Sequence, residues 1–265
     1  MSDLPNTDLL ACAVEAVRRA GAHAQANIHR RAEAVVRTAH DVKLALDLEC
    51  QRLIESVIHE SYPAHAILGE EGDREMAGSR YEWIVDPLDG TVNFSHGLPY
   101  WCHSVAVRRD GETVAGAVYS PLYGELFAAT KDGPATVNGA PIRVSTTARL
   151  ADSLLLTGIE KNFDQHPQSL EVARAVALSV QKFRLMGAAA LDLCMVAAGR
   201  ADGFYESGIH LWDVAAGELI VRQAGGTVQK LAQIGPRKLR YVATNGLIHD
   251  EFMALLSQFE LWTAP

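Results

Sequence analysis

An apolar strand that runs straight into paired acids is the feature that most constrains this chain. Residues 83–99 read WIVDPLDGTVNFSHGLP, with Asp86 and Asp89 just beyond Trp83–Val85. A buried strand should not end in two carboxylates unless something positive binds there, because an unpaired buried charge is costly. Carboxylate oxygens are the ligands that Mg²⁺, Mn²⁺ and Ca²⁺ prefer. Pro87 fixes φ and Gly90 permits left-handed geometry, so DPLDG is expected to turn beyond the strand and point both acids at one spot. Gly90 also allows close approach of a ligand, with its N–H and that of Thr91 available to a phosphate. The five letters by themselves fit a solvated surface turn equally well.

Composition sets the frame. At 265 residues, 48% hydrophobic and 21% charged, the chain is long enough for one sizeable core or two packed halves. Its net charge of −8 argues against a broad nucleic-acid footprint, which needs clustered Lys and Arg. The nearest basic run, His29-Arg30-Arg31, fits a solvated helix face, so no nucleic-acid partner is expected. No stretch is apolar for long enough to span a bilayer, and MSDLPNTDLL lacks a basic region followed by an apolar core. The expectation is a cytoplasmic protein with no membrane partner. Cys12, Cys50, Cys102 and Cys194 are scattered in apolar surroundings without a C-x-x-C pair, and read as reduced core residues.

Periodicity predicts mixed α and β structure. Leu9, Leu10, Ala13, Val14 and Val17 share one helical face, as do Leu46, Cys50, Leu53, Ile54 and Val57. Strands follow at Ile67-Leu68 and Trp83–Val85, then a hairpin over 103–119 turning near Asp110-Gly111, and a turn at Asn138-Gly139. A further strand is expected over 153–157. Helix and strand then alternate: a helix over 169–180, a strand near Phe183, a helix over 188–198, a strand near 203–205 and a helix over 214–224. The antiparallel first half and alternating second half predict a soft boundary near residue 145.

Two other acidic places stand out: Glu70-Glu71 after an apolar segment, and Asp213 after Trp212. Each has a plain reading, an exposed turn for the first and a helix N-cap for the second. Together with the first pair, however, they form a pattern. Gly69-Glu70-Glu71, the run WIVDPLDGTVNF, the segment GAAALDLCMVAAGRADGFYESGIHLWDVAAGELIV (187–221) and Ala224-Gly225-Gly226-Thr227 lie in the order and spacing of one family. On these pieces the chain resembles the inositol monophosphatase family of Mg²⁺-dependent, lithium-sensitive phosphomonoesterases.

The resemblance implies an α+β fold, a layered αβαβα sandwich of the inositol monophosphatase and fructose-1,6-bisphosphatase type, usually in a homodimer. It implies one catalytic unit, with the metal site in residues 1–145 and the specificity residues in 146–265. It implies two to three Mg²⁺ per subunit: Glu70, Asp86 and the Leu88 carbonyl at the first, Asp86, Asp89 and Asp213 at the second, and Glu70 again at a weaker third. Such ions would offset the repulsion between a phosphomonoester and incoming hydroxide and stabilise the leaving alkoxide. Thr91 and Asp47 fall at the positions of the family's water-activating pair. Glu206 would accept hydrogen bonds from a polyol hydroxyl, with Gly90, Thr91, Ala189 and Asp213 also lining the substrate site.

The chain departs from its family before Asp47. Where relatives read D-x-V-T-x-x-D, this chain has Lys43 and Leu44 in place of Val and Thr. If Asp47 lies in the first turns of a helix, Lys43 shares its face. It could then pair with Asp47 or contact the substrate phosphate, partly replacing the third metal, or it could form an ordinary surface pair worth about 0.3–0.5 kcal/mol. Relatives carry Ser or Thr where this chain has Ala188, which removes one hydroxyl near the substrate. Val92-Asn93-Phe94 after D-G-T resembles the inositol phosphate and broad sugar-phosphate branch. The expected partner is therefore a small phosphate ester, hydrolysed as inositol monophosphate or a similar polyol or sugar phosphate. The alternatives are a histidinol-phosphate, fructose-1,6-bisphosphate or adenosine 3′,5′-bisphosphate phosphatase, or a catalytically reduced regulatory paralogue. His96, His103 and His210 are expected to be structural, and Trp101 and Trp212 core aromatics.

Overall fold

Two amphipathic helices open the chain, as their apolar spacing predicts. In the computed structural model, which describes residues 3–37, 42–159 and 168–263, α1 spans Asn6–Ala26 and buries Leu9, Ala13, Val17 and Ala20. Helix α2 spans Ala45–Ser61 and buries Leu46, Cys50, Ile54 and Ile58. Between them, β1 (Ala34–Arg37) and β2 (Val42–Leu44) pair antiparallel. The Asp47 carboxylate accepts the Leu44 N–H at 2.6 Å, satisfying an orphan donor and starting α2 at Ala45.

The next strands build an eight-stranded sheet. They are β3 (Ala66–Gly69), β4 (Asp73–Arg74), β5 (Tyr81–Asp89), β6 (Cys102–Arg109), β7 (Glu112–Ser120), β8 (Glu125–Thr130), β9 (Thr136–Val137) and β10 (Ala140–Pro141), with the short helix α3 (Thr91–His96) after β5. Their order is β10-β9-β8-β7-β6-β5-β3-β4, antiparallel except where β3 runs parallel to β5. The β6–β7 hairpin turns at Asp110 and Gly111, both at positive φ, as that dipeptide allows.

The second half forms a five-stranded sheet from β11 (Leu154–Thr157), β12 (Lys182–Leu185), β13 (Gly203–His210), β14 (Thr227–Gln233) and β15 (Lys238–Thr244). Its order is β12-β11-β13-β15-β14, with β11 parallel to both neighbours and β15 antiparallel to both of its own. Helices α4 (Ser169–Ser179), α5 (Ala189–Ala197), α6 (Leu211–Gln223), α7 (His249–Leu256) and α8 (Glu260–Thr263) complete the chain.

Five layers result. Helices α1 and α2 cover one face of the large sheet, and α5 and α6 lie between its other face and the small sheet. Val172 and Val176 of α4 and Phe252 and Leu256 of α7 pack with Leu155, Tyr205 and Val242 on the far side. The middle layer is tight because its residues are small: a Cβ on Gly116 of β7 would lie 3.0 Å from the Ala216 Cα of α6. This is the layered αβαβα arrangement implied by the resemblance. All four cysteines are buried and free. Among the described residues no helix is long and apolar enough to cross a membrane.

Candidate active site

Strand β5 runs through the paired acids rather than stopping before them, which corrects the expected turn. In a regular strand, residues three apart point to opposite faces. Here Asp86 faces Ser104 and Asp89 faces Cys102, so three steps on β5 match two on β6. The extra residue is a bulge at Pro87-Leu88, and it rotates Asp89 onto the side of Asp86. Pro87 suits a bulge because it has no ladder N–H to lose. The Pro87 carbonyl meets the Nδ1 of His103, a fully buried ring that burial holds neutral, its pKa pushed down to about 4. His103 therefore supports the bulge, as a structural histidine.

Each carboxylate is held from a different element. Asp86 accepts the Leu88 N–H at 3.1 Å. Asp89 accepts the Ala190 N–H at 2.8 Å and the Ala189 N–H at 3.2 Å, so the positive end of α5 points at it. Asp213 lies in the first turn of α6 and accepts the His210 N–H at 2.9 Å; it caps the helix from the third helical position rather than as the N-cap itself. Glu70 follows β3 and is tied to β5 by its N–H, 3.1 Å from the Val85 carbonyl. Gly90 starts α3 at φ 87°, where a Cβ would sit 2.9 Å from the Tyr100 carbonyl. Thr91 follows, its hydroxyl donating to the Leu88 carbonyl at 2.8 Å.

These groups line one cavity of about 400 Å³, with Glu70, Asp86, Leu88, Asp89, Gly90, Thr91, Ala189, Glu206 and Asp213 in its wall. No Lys, Arg or His is among the lining residues. The electrostatic result is strong mutual repulsion. Burial pushes Asp86 well above the usual carboxylate range, and Glu70, Asp89 and Asp213 push it further. Burial and then Asp89 raise Asp213, opposed first by the His210 N–H that it accepts. Asp89 rises to about 6 by burial, opposed by the Ala190 N–H. Glu70 is raised by enclosure and by Asp213, Glu71, Asp47 and Asp89. It is exposed on the surface, so the repulsion is the firmer of its two causes.

An all-oxygen donor set of four convergent acids and a backbone carbonyl fits hard dications such as Mg²⁺. Among the described residues, no three acids, His or Cys already stand as a closed metal cage. Carboxylates that repel one another are held apart until cations neutralise them, so open geometry and raised pKa values go together. A larger cavity, of about 590 Å³ along β3 and β4, is lined by acids and arginines together, with Arg237 on Asp73 and Arg80 on Asp110.

Other candidates fall as follows. Asp47 is buried beside this cluster, close enough to repel Glu70. The single proton of the Thr91 hydroxyl is directed at Leu88 rather than at Asp47. Lys43 does not share a helix face with Asp47: it lies on β2, before α2 begins, and its ammonium pairs with Glu71. Glu206 sits where the β13–β15 register breaks, its carboxylate against Gly158. Trp101 packs edge-on with Phe94 in the core, and His210 stacks on Trp212 at 4.8 Å.

Three supporting residues were not among the expected site residues. Asp192, on α5, lines the cavity and accepts the Tyr100 hydroxyl at 2.6 Å, with burial holding it well above its usual range. An acid alone in the apolar run AALDLCMVA was the available clue. The Asn93 amide donates to the Tyr100 and Met186 carbonyls, both at 2.8 Å, stitching α3 to the loop before α5. Gln51 accepts the Glu71 N–H at 3.0 Å and donates to the Gly72 carbonyl at 2.8 Å, fixing the turn after Glu70.

The sequence profile of the inositol monophosphatase family matches residues 6–260, and the chain belongs to that family, which is generally Mg²⁺-dependent. It is 41% identical over 224 residues to a Nus factor SuhB of Pasteurella multocida, covering 83% of this chain and 84% of that one. The Nus factor SuhB of Escherichia coli K12 is 40% identical over the same length and shares. Among solved structures, the inositol monophosphatase of Anabaena (Nostoc) superimposes with a TM-score of 0.85 at 34% identity, covering 98% of this chain and 99% of its own. Mycobacterium tuberculosis SuhB does so at 0.83 and 33% identity, covering 99% and 100%.

The relatives' names correct one expectation. The absence of a nucleic-acid partner was inferred from charge, yet relatives at 40–41% identity are called Nus factors, a name tied to transcription. The physical reason is that a net charge of −8 averages over the whole surface. It limits broad, nonspecific binding and says nothing of local patches or of complexes reached through other proteins.

Proposed function

We propose that this chain is a Mg²⁺-dependent phosphomonoesterase acting on inositol monophosphate or a similar small polyol or sugar phosphate, with the cytoplasm as its setting. The observation that carries the reading is the convergence of Glu70, Asp86, Asp89 and Asp213 on one cavity without a lining cation. Glu70, Asp86, Asp213, Asp89 and the Leu88 carbonyl would hold two to three Mg²⁺. When bound, those ions supply charge neutralisation for the phosphate and acidify water. The chain's own part is positioning. The bulge aims Asp86 and Asp89 together, and α5 holds Asp89 through two backbone N–H groups. Thr91, its proton directed to Leu88, presents oxygen lone pairs to a water, and Asp47 is the nearby base for the proton released. Glu206 and Ala189, from the later part of the chain, would meet the alcohol portion of the substrate. A division near residue 145 would place most of the metal-holding groups before it and Glu206 and Ala189 after it, with Asp213 contributed to the metal site from the later part.

The test is phosphate release by metal-stripped protein with and without Mg²⁺. Substrates are inositol monophosphate, sugar phosphates, histidinol phosphate, fructose 1,6-bisphosphate and adenosine 3′,5′-bisphosphate. Mg²⁺-dependent release from the first two groups is expected; release from none removes the reading. The relatives' Nus factor names favour a second reading, a role in transcription complexes alongside or instead of hydrolysis. Association with such complexes that survives Asp89→Asn, while hydrolysis does not, would separate the two.

A further inference from the structure

Beside the cavity, next in the chain to Glu70, stands an acid that the metal ligands do not account for. Glu71 follows Glu70 directly, and its side chain is only 7% exposed. It repels Glu70. Nor can it readily swing away, because Gln51 grips the turn on both sides, at the Glu71 N–H and the Gly72 carbonyl. Gly69 is pressed against the same Gln51 side chain, so the turn is also packed from behind. An ionised carboxylate fixed in such a place needs a cation beside it.

Lys43 is that cation. Strand β2, paired to β1 with Lys43 opposite Val36, brings the ammonium onto Glu71. The Lys43 side chain is 37% exposed, so its head comes from the solvent side while its partner stays enclosed. The cavity wall behind contributes six acids, Glu70, Asp86, Asp89, Asp192, Glu206 and Asp213, and no Lys or Arg. A lysine ammonium is a compact point charge on a tether. It neutralises a carboxylate at any Mg²⁺ concentration, whereas a weakly held dication does so only when the ion is abundant.

We propose that Lys43 is a built-in counter-cation for the Glu70–Glu71 corner, standing where a weakly bound divalent ion would otherwise be drawn. The inference rests on the metal-dependent reading of the site. Lys43 touches no reacting atom, so it is a positioning residue: it sets how many ions the site takes up and how steeply occupancy follows Mg²⁺. Removing it would leave Glu71 as an uncompensated acid beside Glu70, and the pair would recruit an ion of its own.

Calorimetric titration of metal-stripped protein with Mg²⁺ tests this without reference to turnover. Lys43→Val should bind one more weak Mg²⁺ than the unaltered chain, and its thermal midpoint should climb more steeply with Mg²⁺. Lys43→Arg should restore the original stoichiometry, and Lys43→Val combined with Glu71→Gln should lose the extra ion. Identical ion counts and affinities in the unaltered chain and Lys43→Val overturn the proposal, as does an extra ion that persists in the double variant. Should Lys43→Val not fold when stripped of metal, Glu71→Gln alone decides. It leaves the ammonium unbalanced next to Glu70 and should weaken Mg²⁺ binding several-fold, and unchanged affinity overturns the proposal. An unaltered chain that binds no Mg²⁺ removes the metal reading as well. One that binds Mg²⁺ but releases no phosphate removes only the phosphatase reading.

Discussion

Replacing Asp89 by Asn in the metal-free protein relieves the cost of keeping its carboxylate in this cavity, together with the repulsion it exerts on Asp86, Asp213 and Glu70. The Asp89 carboxyl rises from 3.8 to about 6 on folding. At about 1.4 kcal/mol per pKa unit, that shift amounts to about 3 kcal/mol. The sign follows from linkage. A group whose folded pKa is raised contributes stability below its unfolded pKa and loses that contribution as pH rises through the folded pKa. Unaltered metal-free protein should therefore lose about 2–2.5 kcal/mol of that relative to Asp89→Asn between pH 4 and pH 7.5, most of it below pH 6. In a chain of this size that is a difference of about 5–10 °C in thermal midpoint. Urea or thermal unfolding of both proteins, stripped of metal and measured across the range, reads the difference. His103 titrates in the same window with the opposite sign but is present in both and cancels. Saturating Mg²⁺ at pH 7.5 should reverse the ranking, because the variant lacks a charge that holds the ions. Parallel stability curves from pH 4 to 7.5, or a gain by the unaltered protein as pH rises, would refute the argument.

Removing the Asp213 charge as Asp213→Asn should lower Mg²⁺-dependent phosphate release by about 100-fold or more, since electrostatic groups at such sites carry about 3 kcal/mol or more each; a loss under tenfold in steady-state assays counts against its role. His103, whose pKa falls to about 4 on folding, contributes stability that is complete above its unfolded pKa and drains away as pH falls toward 4. Against a His103→Gln variant, the Mg²⁺-loaded protein should lose about 3 kcal/mol between pH 7.5 and pH 4, as read from denaturant midpoints. Gly90→Ala places a Cβ 2.9 Å from the Tyr100 carbonyl at a φ of 87°. It should destabilise the protein by about 1–3 kcal/mol, and a midpoint within half a kcal/mol of the original would show that α3 can shift to make room.

Much of the site was legible because its chemistry is written in short contiguous words. Asp86, Asp89, Gly90 and Thr91 lie within six residues, and Asp213 opens a helix that begins where its capping bond requires. The bulge was not legible, because register is a relation between β5 and β6, and nothing in DPLDG reveals that only two residues will lie opposite three steps. Lys43 was misplaced for a related reason. The spacing from Lys43 to Asp47 suits a helix, but the Asp47 carboxylate caps the Leu44 N–H and starts the helix two residues after Lys43. The pairing of Tyr100 with Asp192 joins positions 92 apart and could not be inferred from either neighbourhood. Among the elements of six residues or more, α3, β8, β14, β15 and α7 were missing from the sequence reading. In Thr227–Gln233 polar residues such as Gln229 and Lys230 interrupt the alternation that marks a strand.

The bulge at Pro87-Leu88 makes the site tolerant of some changes and intolerant of others. Those two residues lie opposite one residue of β6, so Asp86 and Asp89 face one side although they are three apart. An exchange of Leu88 for another apolar residue keeps the bulge, whereas deleting it would restore regular pairing, leave the two acids two apart and still on one face, and take away the carbonyl that accepts the Thr91 hydroxyl. The extra residue therefore matters less for the side the acids share than for the backbone oxygen it sets beside Thr91, which no exchange of the Leu88 side chain removes.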